Sequence, residues 1–150
     1  MPPVASVEAV VAAETLLEFS FPSLLRSLYL AVGNGGFGPG YGVIGVEGGH
    51  KTDEGDSIEK LYESFCTPDA DDKEWKWPKG LLPFCHWGCA IYSCVNINEV
   101  EYPVIWFDPN GRELGEPMAK QFNSHRPSLE SWFAGWLNNE DLWAETYGAI

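Results

Sequence analysis

Apolar residues recur at helical spacing at both ends of this chain and run together through its centre. Val7, Val10, Val11, Leu16 and Leu17 spread over one broad face of a helix predicted for residues 4–19. Phe21-Pro22 breaks that helix. Proline suits the first position of a helix, so Pro22 is expected to open a second, carrying Leu24, Leu25, Leu28, Tyr29 and Val32. Ile58, Leu61, Tyr62 and Phe65 fall at i, i+3, i+4 and i+7, which predicts a short third helix over 58–65. Leu81–Trp87 and Ala90–Val95 are apolar runs parted by Gly88 and read as a β-hairpin. Val104–Phe107 is a third strand, closed by the turn signal Asp108-Pro-Asn-Gly111. Ser128 suits a helix N-cap, with Glu130 in the first turn and Trp132, Phe133, Trp136 and Leu137 as the apolar stripe. A last short element runs through Leu142-Trp143. The order predicts an α+β domain with a central, mainly antiparallel sheet flanked by N- and C-terminal helices, the helices packed against one side of it. At 150 residues, with no internal repeat, one domain is expected.

Between the second helix and the centre lies Gly33–Gly42, with six glycines in ten residues. Gly33, Gly35 and Gly38 satisfy G-x-G-x-x-G, but a dinucleotide fingerprint needs a strand before it and a helix after it. Here a helix comes first, and Tyr41–Val46 reads as a β segment afterwards. The run is therefore expected to be a helix-to-strand turn, with Gly33-Asn34 ending the helix in the left-handed conformation, or else a partner-contact loop. Phe37 and Tyr41 would tack it down.

Composition sharpens the class. Hydrophobic residues make up 45% and seven are tryptophan, which excludes disorder. The net charge of −13 disfavours nucleic acid and anionic membrane as partners and favours basic ones. From Asp53 to Glu74 there are nine acidic residues and two lysines, a local net of −7. That run is either a solvated face or a docking surface for a cationic protein. Val4–Ala13 lacks a positive leader and contains Glu8, so neither secretion nor a membrane span is expected. A cytoplasmic protein with reduced thiols is the default.

Candidate chemistry is sparse. Cys85, Cys89 and Cys94 with His86 lack paired C-x2-C spacing, and on a strand Cys85 and His86 face opposite ways, so buried structural thiols are expected and no metal. His50, His86 and His125 sit in no nucleophile motif. The acidic clusters lack the EF-hand pattern, and no cofactor or enzymatic activity is expected. Trp75, Trp77 and Trp87 lie in or beside loops, as binding anchors or, for Trp77-Pro78, as closure of one core edge.

Four stretches in order carry a resemblance. Residues 21–36 (FPSLLRSLYLAVGNGG), with Pro22, Asn34, Gly35 and Gly36, resemble the "LP…L…NGG" signature of the SUKH superfamily. Trp77-Pro78 through Phe84, Gly88–Val95 and Ser128–Phe133 follow in register, covering roughly residues 10–143. The superfamily joins bacterial immunity proteins to a fungal cell-wall assembly regulator. The resemblance implies an α+β fold, no catalysis, and a protein partner. Many relatives carry an acidic residue after the second central strand, where this chain has Asn96.

Two functions follow. The first is an immunity protein that neutralises a cationic, nuclease- or deaminase-type toxin through Asp53, Glu54, Asp56, Asp69, Asp71, Asp72 and Glu74, anchored by Trp75 and Trp77. The second is a regulatory or scaffold module binding an endogenous protein. A catalytic reading would need His86 or His125 beside a carboxylate in a pocket.

Overall fold

The computed structural model describes residues 1–147. Among these residues five α-helices and four strands follow one another, and the strands form a meander in the order β1-β2-β3-β4 with every neighbouring pair antiparallel. The strands are β1 (Leu81–Gly88), β2 (Ile91–Asn96), β3 (Val104–Phe107) and β4 (Phe122–Arg126). The two-residue turn between β1 and β2 holds Cys89 and Ala90 at φ 51° and 61°. That is the double left-handed turn whose twist matches a hairpin.

Helix α1 (Val7–Leu17) starts where the Ser6 hydroxyl accepts the Ala9 N–H at 3.1 Å. Its buried stripe is Val10, Ala13 and Leu17, narrower than the broad face expected; Val7, Val11 and Leu16 are exposed. A peripheral helix that packs mainly on α3 (Ile58–Cys66) and on α2 (Ser23–Ala31) needs only one such stripe. Pro22 caps α2 from outside rather than opening it, and α2 buries Leu25 and Tyr29 while Leu24 and Val32 stay exposed. Helix α4 (Leu129–Leu137) begins as expected, the Ser128 hydroxyl accepting the Ser131 N–H at 3.0 Å. It buries Trp132 and Phe133 and leaves Leu137 exposed. Leu142–Tyr147 is α5.

The helices cover both faces of the sheet, not one. Tyr92 and Phe107 are cross-strand partners, and both rings meet Phe65 of α3. Their chain neighbours Ser93 and Trp106 are likewise paired, and alternation points them the other way. On that side Trp106 meets Trp143 of α5 at 5.6 Å, and Trp132 of α4 meets Phe84 at 4.8 Å.

The Asn34-Gly35-Gly36 turn reverses the chain and positions α3. The left-handed residues are Gly35 and Gly36, at φ 78° and 86°, rather than Gly33 and Asn34. Asn34 is buried and clamps the following loop: its Oδ1 accepts the Val46 N–H at 2.9 Å, its amide donates to Val46 O, and its carbonyl accepts the His50 N–H. Gly45 passes so close that a Cβ there would lie 2.3 Å from the Asn34 carbonyl oxygen. The Gly45 carbonyl in turn accepts the first α3 amide, Ile58 N–H, at 2.8 Å. The signature thus sets where α3 starts.

Tyr41–Val46 is not a regular strand, since only Val43 bridges to Cys85. Its backbone still lies along β1, with Tyr41 N–H to His86 O at 2.9 Å, His86 N–H to Gly42 O at 3.3 Å and Ile44 N–H to Phe84 O at 2.8 Å. Phe37 is buried and pins the loop, whereas Tyr41 is exposed and rests on the His86 ring.

Candidate functional site

Helix α3 is the hub around which the acidic residues gather. On one side stand Leu61, Ser64 and Phe65, and two acidic loops meet there. The first is closed on itself: Thr52 N–H donates to Asp56 O at 3.0 Å, and the Thr52 hydroxyl accepts the Asp56 N–H at 3.1 Å. It exposes Asp53 and Glu54 and half-buries Asp56. These carboxylates border a pocket of about 220 Å³ with His86, Cys89 and Tyr92. Burial pushes the Tyr92 hydroxyl up to about 12, with Glu54 and Asp56 adding to it. Burial also holds the His86 imidazole below its ordinary value, against the opposite pull of Asp53 and Glu54.

The second loop follows α3. Asp69 Oδ1 accepts the Asp71 N–H at 2.9 Å, and Asp69, Asp71 and Glu74 are exposed. Ser64 and Phe65 line both the first pocket and the hollow beside Asp69, so the two loops flank the same half of α3. Asp72 does not join them. It is 3% exposed, and its carboxylate is bound by Arg112 and the Gly115 N–H.

The tryptophans divide in the same way. Trp77 is a core residue, not a surface anchor: its Nε1–H donates to Leu81 O at 2.6 Å, and its ring meets Phe107 at 4.9 Å. Pro78 beside it is exposed. Trp75 is half-buried, donates Nε1–H to Phe65 O at 2.7 Å and stacks on Trp77. Trp87 is half-buried and donates to the Ser93 hydroxyl at 2.9 Å.

Cys85 and Cys94 are buried, and burial raises both thiols. Cys89, expected among them, is exposed at the hairpin tip because the turn carries it out of the sheet. Cys85 pairs with Ser93 and His86 with Tyr92, so they face opposite ways. Among the described residues no group of three His, Cys, Asp or Glu is placed to hold a metal ion, and no helix is long and apolar enough to cross a membrane.

His86 and His125 do each lie beside carboxylates. No hydrogen bond joins His86 to Cys89 or to the acids around it; its ring stacks on Tyr92 at 4.8 Å. His125 bonds Glu145 Oε1 at 3.0 Å, but that carboxylate also pairs with Arg126. The cluster ties α5 to β4.

The opposite side of α3 is different. Glu59, Tyr62, Glu63 and Cys66 fall on one helical stripe and line an open groove of about 860 Å³ with Leu16, Phe19, Trp77 and Ile97. Glu59 is 5% exposed; its Oε2 accepts the Glu47 N–H at 3.3 Å, and its Oε1 has no hydrogen-bond partner among the described residues. In the sequence Glu59 reads as one more member of the acidic run, yet it is buried. The available signal was its place three residues before Tyr62 on the apolar side of α3.

These features define a four-stranded α+β domain with acidic loops and an apolar groove on opposite sides of one helix. The chain belongs to the SMI1/KNR4 family (SUKH-1), which matches residues 4–133. No curated protein and no solved structure matches it significantly.

Proposed function

We propose that this protein is a non-catalytic, protein-binding domain that neutralises a cationic, nuclease- or deaminase-type toxin in the cytoplasm. One observation carries the reading: exposed Asp53, Glu54, Asp69, Asp71 and Glu74 stand on two loops, each closed by its own hydrogen bonds, around one half of α3. A fixed array of negative charge speeds encounter with a basic surface, and a toxin that processes nucleic acid needs such a surface. The net charge of −13 extends that field over the whole molecule.

The test is co-expression with a basic toxin domain encoded beside this gene, scored for growth, with association rates measured across salt concentrations. Rescue is expected, with an on-rate that falls as salt rises. Asp53→Lys, Asp69→Lys and Asp71→Lys together should slow association by about tenfold or more. Unchanged rate and salt dependence would remove the acidic loops from the interface. Absence of rescue, with a non-toxin protein recovered on the same loops, would favour a scaffold module.

A further inference from the structure

The groove on the other side of α3 carries a feature that the acidic loops lack. Its walls are apolar, from Leu16 and Phe19 near the end of α1 to Ile97 beyond β2. Glu59 lies among them, 5% exposed, with one carboxylate oxygen shielded from water and without a donor among the described residues. A buried carboxylate oxygen left unpaired is costly, and a charge-assisted hydrogen bond is the strongest way to satisfy it. Glu59 sits in the first turn of α3, where the helix N-terminus favours negative charge. Glu18 and Glu63 also line the groove, against the single cation Lys79 among the described lining residues. Lys79 makes no ion pair with Glu59.

We propose that this groove receives one basic side chain of a protein partner, lysine or arginine, whose aliphatic stem lies on the apolar walls and whose charged head meets the Glu59 carboxylate once the groove-lining side chains that shield it move aside. The chemistry fits the shape: such side chains bury their methylene stems along apolar surface while the head seeks charge. A purely apolar occupant would leave Glu59 unpaired, and an anion would meet three carboxylates. This inference rests on the protein-binding reading above and adds a second, recessed contact to it. With acidic loops on one flank of α3 and the groove on the other, a basic partner straddling the helix would use both.

The probe is the blocked tripeptide acetyl-Ala-Arg-Ala-amide, compared with the same peptide carrying citrulline, which keeps the shape and loses the charge. Titration into isotopically labelled full-length protein should give saturable amide shifts at Cys66, Gly80 and Ile97 with the arginine peptide only. Alkylation offers an independent reading, because Cys66 lines the groove and is exposed, while exposed Cys89 lies at the hairpin tip. Saturating arginine peptide should slow alkylation of Cys66 several-fold and leave Cys89 unchanged. Glu59→Gln should weaken binding about tenfold or more. Leu16→Ser, at an exposed wall position, should weaken it without disturbing the fold, and stands in should Glu59→Gln fail to fold. Equal response to citrulline, shifts confined to residues 69–74, or undiminished binding by both variants would overturn the proposal. None of these measurements involves a toxin. Failed growth rescue with intact arginine binding therefore overturns only the immunity reading, and the reverse pattern only the groove.

Discussion

Asp72 and Arg112, forty positions apart in the chain, meet through two parallel hydrogen bonds, with Nη2 to Oδ1 at 2.8 Å. The pair fastens the loop after α3 to the turn after β3, and Arg112 also holds that turn by donating Nε–H to Glu116 O at 2.8 Å. A charge in the acidic segment is thus spent inside the molecule.

The guanidinium holds the Asp72 carboxyl below its ordinary range, opposed by desolvation. A depressed folded-state value stabilises above the unfolded one, about 3.9 for Asp, and that stabilisation disappears as pH falls through the folded value. Asp72→Asn should therefore lower Tm at pH 7, and the gap to wild type should close as the pH drops below about 4. Thermal melts read this directly; a gap that does not narrow at all as the pH falls below about 4 would exclude an ionic origin. The same substitution should leave the partner's on-rate nearly unchanged, unlike reversal at Asp69 or Asp71.

Gly45→Ala tests the clamp set by Asn34. A Cβ at Gly45 meets the Asn34 backbone oxygen at 2.3 Å and its Oδ1 at 2.6 Å. Relieving that overlap must shift a hydrogen-bonded loop, at a cost of about 1–3 kcal/mol. Denaturant unfolding should show the loss, and adding Asn34→Ala should not recover it, because the nearer obstacle is main chain.

Helix α3, the β1–β2 hairpin and the Ser128 cap were legible because each is local: a period, a turn and a capping side chain lie within a few residues. The Asn34-Gly35-Gly36 turn was legible as a turn. That Asn34 rather than a glycine does the clamping depends on Val46 and His50, which pattern does not bring near. Strand β4 gave no signal, since Phe-Asn-Ser-His-Arg is a half-exposed edge with no apolar alternation. The wide stripe expected on α1 failed because apolar composition does not say how much of a peripheral helix finds a neighbour. The candidate site was legible as an acidic segment only. Its division into exposed loops, the inward Asp72 and the buried Glu59 depends on contacts as distant as forty residues.

Trp77 and Trp75 should separate cleanly by mutation. Trp77→Ala opens the core beside Phe65, Phe107 and Phe122 and should cost about 3–5 kcal/mol. Trp75→Ala, at a half-buried position, should cost clearly less. Urea unfolding of both gives the comparison, and equal losses would mean that Trp75 too is a core residue.

Two histidines should make stability fall in mild acid. Burial holds His86 and His125 below the ordinary value, for His125 against the raising effect of Glu145. As pH drops below about 6.5 the unfolded chain takes up protons that the folded one resists, so stability declines. Tm should fall between pH 7 and pH 5, and His125→Gln should flatten part of that slope. A slope unchanged in the variant would assign the effect elsewhere.

The run from Tyr41 to Ile44 occupies backbone groups along the outer side of β1, leaving β4 as the sheet's other boundary. A sheet with one margin already taken has a single place to add a strand. Edge pairing between copies would therefore stop at two molecules, which would guard the acidic protein against growing into a fibre.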